Sequence, residues 1–170
     1  MTFLKIGLVL LVSIVLQLSV FVDVRVFDVA PELLALVAVL AGFFAGPERG
    51  ATVAFGAGLL WDVWLPTPLG VAAMSFATVA FVVGSLEAGL FHDSRAQLAG
   101  LAFLGTFAAV VGYALLGEVV GARGLVDLEL LRIAVIAGAL NGSLAPLMAR
   151  PIRWALRGPV QFRNPALARP

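Results

Sequence analysis

PELLALVAVLAGFFAGPERGATVAFGAGLLWDVWLPTPLGVAA, residues 31–73, is the stretch that decides the fold. An apolar run over residues 29–45 opens with Pro31 and Glu32, a natural helix start with an acid at the positive end of the dipole. The turn Gly46-Pro47-Glu48-Arg49-Gly50 ends it. A second run, residues 51–65, is stopped by Pro66-Thr67-Pro68-Leu69-Gly70, because two prolines cannot continue a helix.

The same pattern fills the chain. Of its 170 residues 62% are hydrophobic and 12% charged, with a mean hydropathy of +1.08. Soluble domains carry about 25% charged residues, so this chain lacks the polar surface to face water. Disorder, coiled coil and secreted miniprotein are excluded, which leaves an integral membrane protein. There is no cysteine, hence no disulfide framework, thiolate metal site or cysteine nucleophile.

Outward from the opening stretch, further apolar runs cover residues 3–22, 70–91, 96–120 and 130–149. The first is too long for a signal peptide and no small-x-small cleavage site follows it. About 20 apolar residues cross a bilayer, so the chain is expected to be an all-α bundle of about six transmembrane helices. Residues 1–150 form that domain and residues 151–170 a basic tail. The second and third runs are both short, and a single re-entrant hairpin is the alternative for them.

Six spans put both termini on one side. Lys5, Arg49, Arg95, Arg150, Arg153, Arg157, Arg163 and Arg169 fall on that side, against Arg25, Arg123 and Arg132 on the other. The positive-inside rule makes the richer side cytoplasmic. The tail is then an orientation signal lying on anionic headgroups, with a docking peptide for a cytoplasmic partner as the alternative.

One intramembrane acid stands out. A charge at the helix centre costs about 2.5–3.5 kcal/mol on insertion scales, and Asp62 sits near the outer end of the third run. Gly50, Ala54, Gly58 and Asp62 repeat every fourth residue, a stripe that lets another helix approach closely. The plainest reading is helix packing that ends in an interfacial acid; the functional one is a polar anchor for a neighbouring span or a partner. Gly138 and Gly142 form a second small pair with Asn141 between, placed to hydrogen-bond across helices. Trp61 and Trp64 fit an outer aromatic belt, and Trp154 an inner one.

Chemistry is scarce. The lone histidine, His92, sits beside Asp93 in a polar turn, where solvation is the ordinary fate. No metal cluster, Ser-His-Asp constellation or phosphate-cradling loop can be assembled, and nothing suggests nucleic acid. The chain is not expected to be an enzyme or to hold a cofactor.

The ordered motifs Pro31-Glu32-Leu33-Leu34-Ala35-Leu36, Gly46 to Gly50, Gly56-Ala57-Gly58-Leu59-Leu60-Trp61-Asp62 and Pro68-Leu69-Gly70-Val71-Ala72-Ala73 resemble the rod shape-determining MreD family of bacteria. The motifs cover about a quarter of the chain, and length and span count agree over the rest. The resemblance implies a non-enzymatic scaffold of the cell-elongation machinery in the cytoplasmic membrane. Its implied partner is the bitopic protein MreC, and through it the MreB filament, the RodA glycosyltransferase and a class B penicillin-binding transpeptidase. On this reading Gly50, Ala54, Gly58 and Asp62, with the turn Pro68-Leu69-Gly70, form a rigid platform on which a partner's helix or first outer residues dock. Asp62→Asn is expected to keep the fold and weaken the complex.

Two other classes compete. Substrate-binding subunits of energy-coupling-factor vitamin transporters look similar in size and span count. Their first span carries an Ala-x-x-x-Ala motif, whereas residues 3–22 contain no alanine. Their pockets also need polar and aromatic residues, which here amount to Asp62, Trp61, Trp64, Tyr113 and Asn141. An ion conductor needs a relay of polar groups across the bilayer, and Asp62 with Glu87 near the opposite face does not make one.

Overall fold

The computed structural model describes residues 2–21, 23–86 and 95–156. Six helices make up most of them: α1 (Thr2–Ser19), α2 (Leu33–Ala45), α3 (Pro47–Asp62), α4 (Val71–Leu86), α5 (Arg95–Val119) and α6 (Leu128–Leu156). Among the described residues the extended pairing amounts to a lone bridge between Val26 and Val29.

The helices differ in reach. With 25 and 29 residues, α5 and α6 rise about 37 and about 43 Å, more than the roughly 30 Å of a hydrocarbon core. These two are long and apolar enough to cross a membrane, while α1, α2 and α4 are shorter apolar helices. The expectation of about six helices therefore holds for helix count, and two of the six have the length and apolarity of a full span.

Burial explains the arrangement. Helix α2 has apolar or glycine residues on every face, and all of its residues from Leu33 to Phe43 are buried. A helix that is apolar all round belongs in the middle; α2 packs against each of the other five. The outer helices turn apolar side chains outward instead: Leu11 on α1, Phe55 on α3, Phe81 on α4, Leu104 on α5 and Leu147 on α6 are all exposed. So much outward apolar surface on every peripheral helix is what a lipid-facing protein presents, and a soluble monomer rarely does.

Glycine and alanine let the helices close up. A Cβ on Gly42 would run into the backbone of Ala80 on α4, and one on Gly84 would lie 2.5 Å from Pro47 N at the start of α3. Cations on rings tie one end of the bundle together. Lys5 Nζ lies 4.8 Å from the Trp154 ring centroid and the Arg153 guanidinium 5.1 Å from that of Phe44. The start of α1 and the ends of α2 and α6 thus share one end of the bundle.

Helix limits depart from the sequence reading in three places. The second helix begins at Leu33 rather than at residue 29, so Pro31 precedes the cap instead of opening the first turn. Residues ahead of it are extended or turned, with Phe27 and Asp28 in the left-handed region. The supposed five-residue turn at residues 46–50 shrinks to Gly46, whose φ of 79° reverses the chain; Pro47 already stands in the first turn of α3. Helix α6 runs through Pro146 and Pro151 to Leu156, past the expected boundary at residue 150. Ile152 and Ala155 are buried against the bundle, and that packing outweighs the lost backbone bond at Pro151. His92, Asp93, Glu87, Arg157, Arg163 and Arg169 lie outside the described residues.

Candidate functional site

Helix α3 ends at Asp62, and a proline-rich turn leads to α4, whose first helical residue follows Gly70. A helix start leaves backbone N–H groups without partners, and glycine has no side chain to cap them. Asp62 does so from across the turn. Its Oδ2 accepts from Gly70 N at 2.9 Å and Ala73 N at 3.1 Å, and its Oδ1 from Ala72 N at 2.9 Å. The carboxylate is buried, 2% exposed. Its negative charge faces the positive end of the α4 dipole, which offsets the desolvation.

The rest of the stripe serves the same closure. One turn before Asp62, a Cβ on Gly58 would collide with the Ala73 backbone, so only glycine lets α3 and α4 meet there. Ala54 is fully buried, and Gly50 abuts the backbone of Gly42 on α2. The structure thus brings Gly50, Ala54, Gly58 and Asp62 together, with their small faces against α2 and α4 of the same chain. Within the chain the stripe is helix packing, and its acid anchors the start of the neighbouring helix α4.

What this closure presents outward is the turn. Val63, Trp64 and Leu69 are 68%, 61% and 71% exposed, and Pro66 and Pro68 are exposed beside them. Trp61 instead packs partly buried on the main core. Gly70, at φ 105°, makes the bend into α4 that a side chain would strain. A hydrogen bond of 2.9 Å between the Thr67 and Tyr113 hydroxyls fastens the turn to α5. The result is an apolar rim on a fixed base.

A second polar cluster lies at the start of α2. Its cap residue, Glu32, makes no side-chain capping bond. Gln17, near the end of α1, reaches over instead: its Oε1 accepts from Leu33 N at 2.7 Å and Leu34 N at 3.4 Å. From α6, Asn141 Nδ2 donates to the Glu32 carbonyl at 2.8 Å and to Thr106 Oγ1 of α5 at 3.0 Å. Asn141 Oδ1 and Ser13 Oγ are buried without a hydrogen-bond partner. Gly138 and Gly142, on either side of Asn141, bring α6 to α5: a Cβ on each would sit 2.9 Å from the carbonyl oxygens of Phe103 and Ala99.

Sequence reasoning singled out Asn141 and missed Gln17, Ser13 and Thr106. The available signal was a helix start after Pro31-Glu32 with no Ser, Thr, Asp or Asn cap, preceded by an apolar helix holding a lone glutamine. Among the described residues no group of three His, Asp or Glu side chains is placed to hold a metal ion.

The family model for rod shape-determining protein MreD matches residues 1–149, nearly the whole helical bundle. No curated protein and no solved structure matches the chain.

Proposed function

Since the chain belongs to the MreD family, whose role is rod-shape determination, we propose that it is a non-enzymatic scaffold of the bacterial cell-elongation machinery. The family is one of shape-determining structural proteins and not a known enzyme family. On this reading the six helices lie in the cytoplasmic membrane as a multi-pass bundle with both termini in the cytoplasm. The outward apolar faces and the shared end of α1 and α6 support that placement, as does the arginine bias.

The platform supplies a place for an MreC-type bitopic partner. The observation that carries this is the exposed rim of Val63, Trp64, Pro68 and Leu69 on a turn held by Asp62 at Gly70 and by Tyr113 at Thr67. Exposed aromatic and aliphatic groups on a rigid base lose little freedom on binding, which favours a docking surface. Gly50, Ala54, Gly58 and Asp62 act from beneath by holding α3, α4 and the Pro68-Leu69-Gly70 turn in place. Through the partner the bundle would reach the MreB filament, the RodA glycosyltransferase and a class B penicillin-binding transpeptidase.

Affinity purification of the tagged chain from native membranes in mild detergent tests this. An MreC-like protein is expected with the wild-type chain and is expected to be lost with Trp64→Ser/Leu69→Ser, while the bundle stays folded. Recovery of a paired-ATPase coupling module would replace the scaffold by the transport reading.

A further inference from the structure

At the end of the bundle where α1 starts and α6 ends, α5 and α6 enclose a groove of about 390 Å³. Its lining is Arg95, Leu98, Ser143, Pro146, Leu147, Arg150 and Arg153. On α6 the lining residues from 143 to 150 recur at helical spacing on one face, and Arg95 and Leu98 stand a turn apart on α5. The groove lies just beyond the close contact of Gly142 with Ala99 between α6 and α5. Pro146, a turn after Gly142, cannot donate a backbone bond within α6 and leaves a carbonyl without its helical partner.

The walls and the mouth have opposite character. Leu98, Pro146 and Leu147 are apolar, and Leu147 is 65% exposed, level with the lipid-facing side of the bundle. Arg95, Arg150 and Arg153 are exposed around them. Among the described residues none of the three meets a carboxylate; the ion pair of Arg132 with Glu129 joins residues near the start of α6. Arg153 is steadied by the Phe44 ring, which leaves its guanidinium edge open to an acceptor. Asp93 and Glu87, the acids nearest to Arg95 in sequence, lie outside the described residues.

We propose that this groove binds the phosphodiester headgroup of an anionic phospholipid, with Arg95, Arg150 and Arg153 around the phosphate and an acyl chain along Leu98, Pro146 and Leu147. Guanidinium forks match phosphate oxygens, and basic pockets between membrane helices at the cytoplasmic face are suited to such headgroups. A peptide would satisfy the charge but has no reason to lie along a wall continuous with the lipid-facing surface. The inference rests on the membrane-embedded reading of the bundle.

The full chain, purified in mild detergent and incubated with equal amounts of phosphatidylglycerol and phosphatidylcholine, would be examined by native mass spectrometry. Wild type is expected to retain phosphatidylglycerol and not phosphatidylcholine. Replacing all three arginines by glutamine should weaken retention about a hundredfold, at the usual worth of a basic residue near an anionic surface. Leu147→Trp, which fills the groove and keeps its charge, should also release the lipid, and Arg123→Gln at the other end should not. Equal retention of both lipids, or undiminished phosphatidylglycerol on the triple variant or on Leu147→Trp, would overturn the assignment. Complete displacement by inorganic diphosphate would overturn it too, since the site would then read a soluble phosphate. Carbonate extraction of the same membranes separates the two levels: a chain that washes off refutes the embedded reading itself, whereas one that stays but carries no anionic lipid refutes the groove alone.

Discussion

Helices α2 and α4 both begin without a capping side chain of their own, and each takes one from elsewhere in the chain. For α4 the donor of acceptors is Asp62, a charged group eight to eleven residues back, which satisfies three N–H groups. For α2 it is Gln17, a neutral amide sixteen residues back, aided by Asn141 from more than a hundred residues ahead. The first arrangement closes a hairpin that could form early from neighbouring sequence. The second ties α1, α5 and α6 to the central helix and needs the whole bundle in place. A carboxylate is suited to the first because its charge meets a helix dipole near an exposed turn. A neutral amide suits the second, where surrounding apolar helices would make a charge costly.

Substitutions can break this contrast one side at a time. Asp62→Ala strips three donors, two of them in buried bonds, of a charged acceptor and should lower stability by about 3–5 kcal/mol, read by thermal unfolding in detergent; Asp62→Asn should fall between it and wild type. A change below about 1 kcal/mol would mean that the hairpin closes without its carboxylate. Gln17→Leu keeps the apolar packing and orphans the Leu33 and Leu34 N–H groups, with an expected loss of about 1–3 kcal/mol. Hydrogen exchange should then rise at the start of α2 and stay unchanged in α4, whereas matching rises in both helices would show that the two starts are not independent. Asn141→Ala should cost least, about 1 kcal/mol, because the Glu32 carbonyl still accepts from Leu36 N within the helix. A larger loss would mean that Thr106 depends on Asn141 for more than one bond.

The two sites were also unequally legible. Asp62 announces itself as a charge in an apolar run, and counting in fours from Gly50 recovers its stripe without any structure. The direction of that stripe was not legible, because close approach by a helix of the same chain and by a partner ask for the same small residues. Gln17 left a weaker trace, since pairing α1 with the start of α2 is a tertiary fact. Helix ends misled where proline was taken as a terminator: Pro47 opens α3, and α6 continues past Pro151 because Ile152 and Ala155 gain burial by doing so. Six helical runs were visible from hydropathy. The start of α2 was not, because Val29 and Ala30 extend the apolar run and yet lie ahead of the helix.

The scaffold account rests most directly on the rim of the α3–α4 turn, and the absence of cysteine gives a clean way to probe it. Leu69→Cys on the rim and Phe55→Cys on the outward face of α3 would each be introduced into the otherwise unchanged chain and treated in native membranes with a short thiol-to-amine crosslinker. The account predicts a crosslink to a bitopic membrane protein from position 69 and none from position 55. A crosslink from position 55 with none from position 69 would place the partner on the helix face and contradict the docking rim.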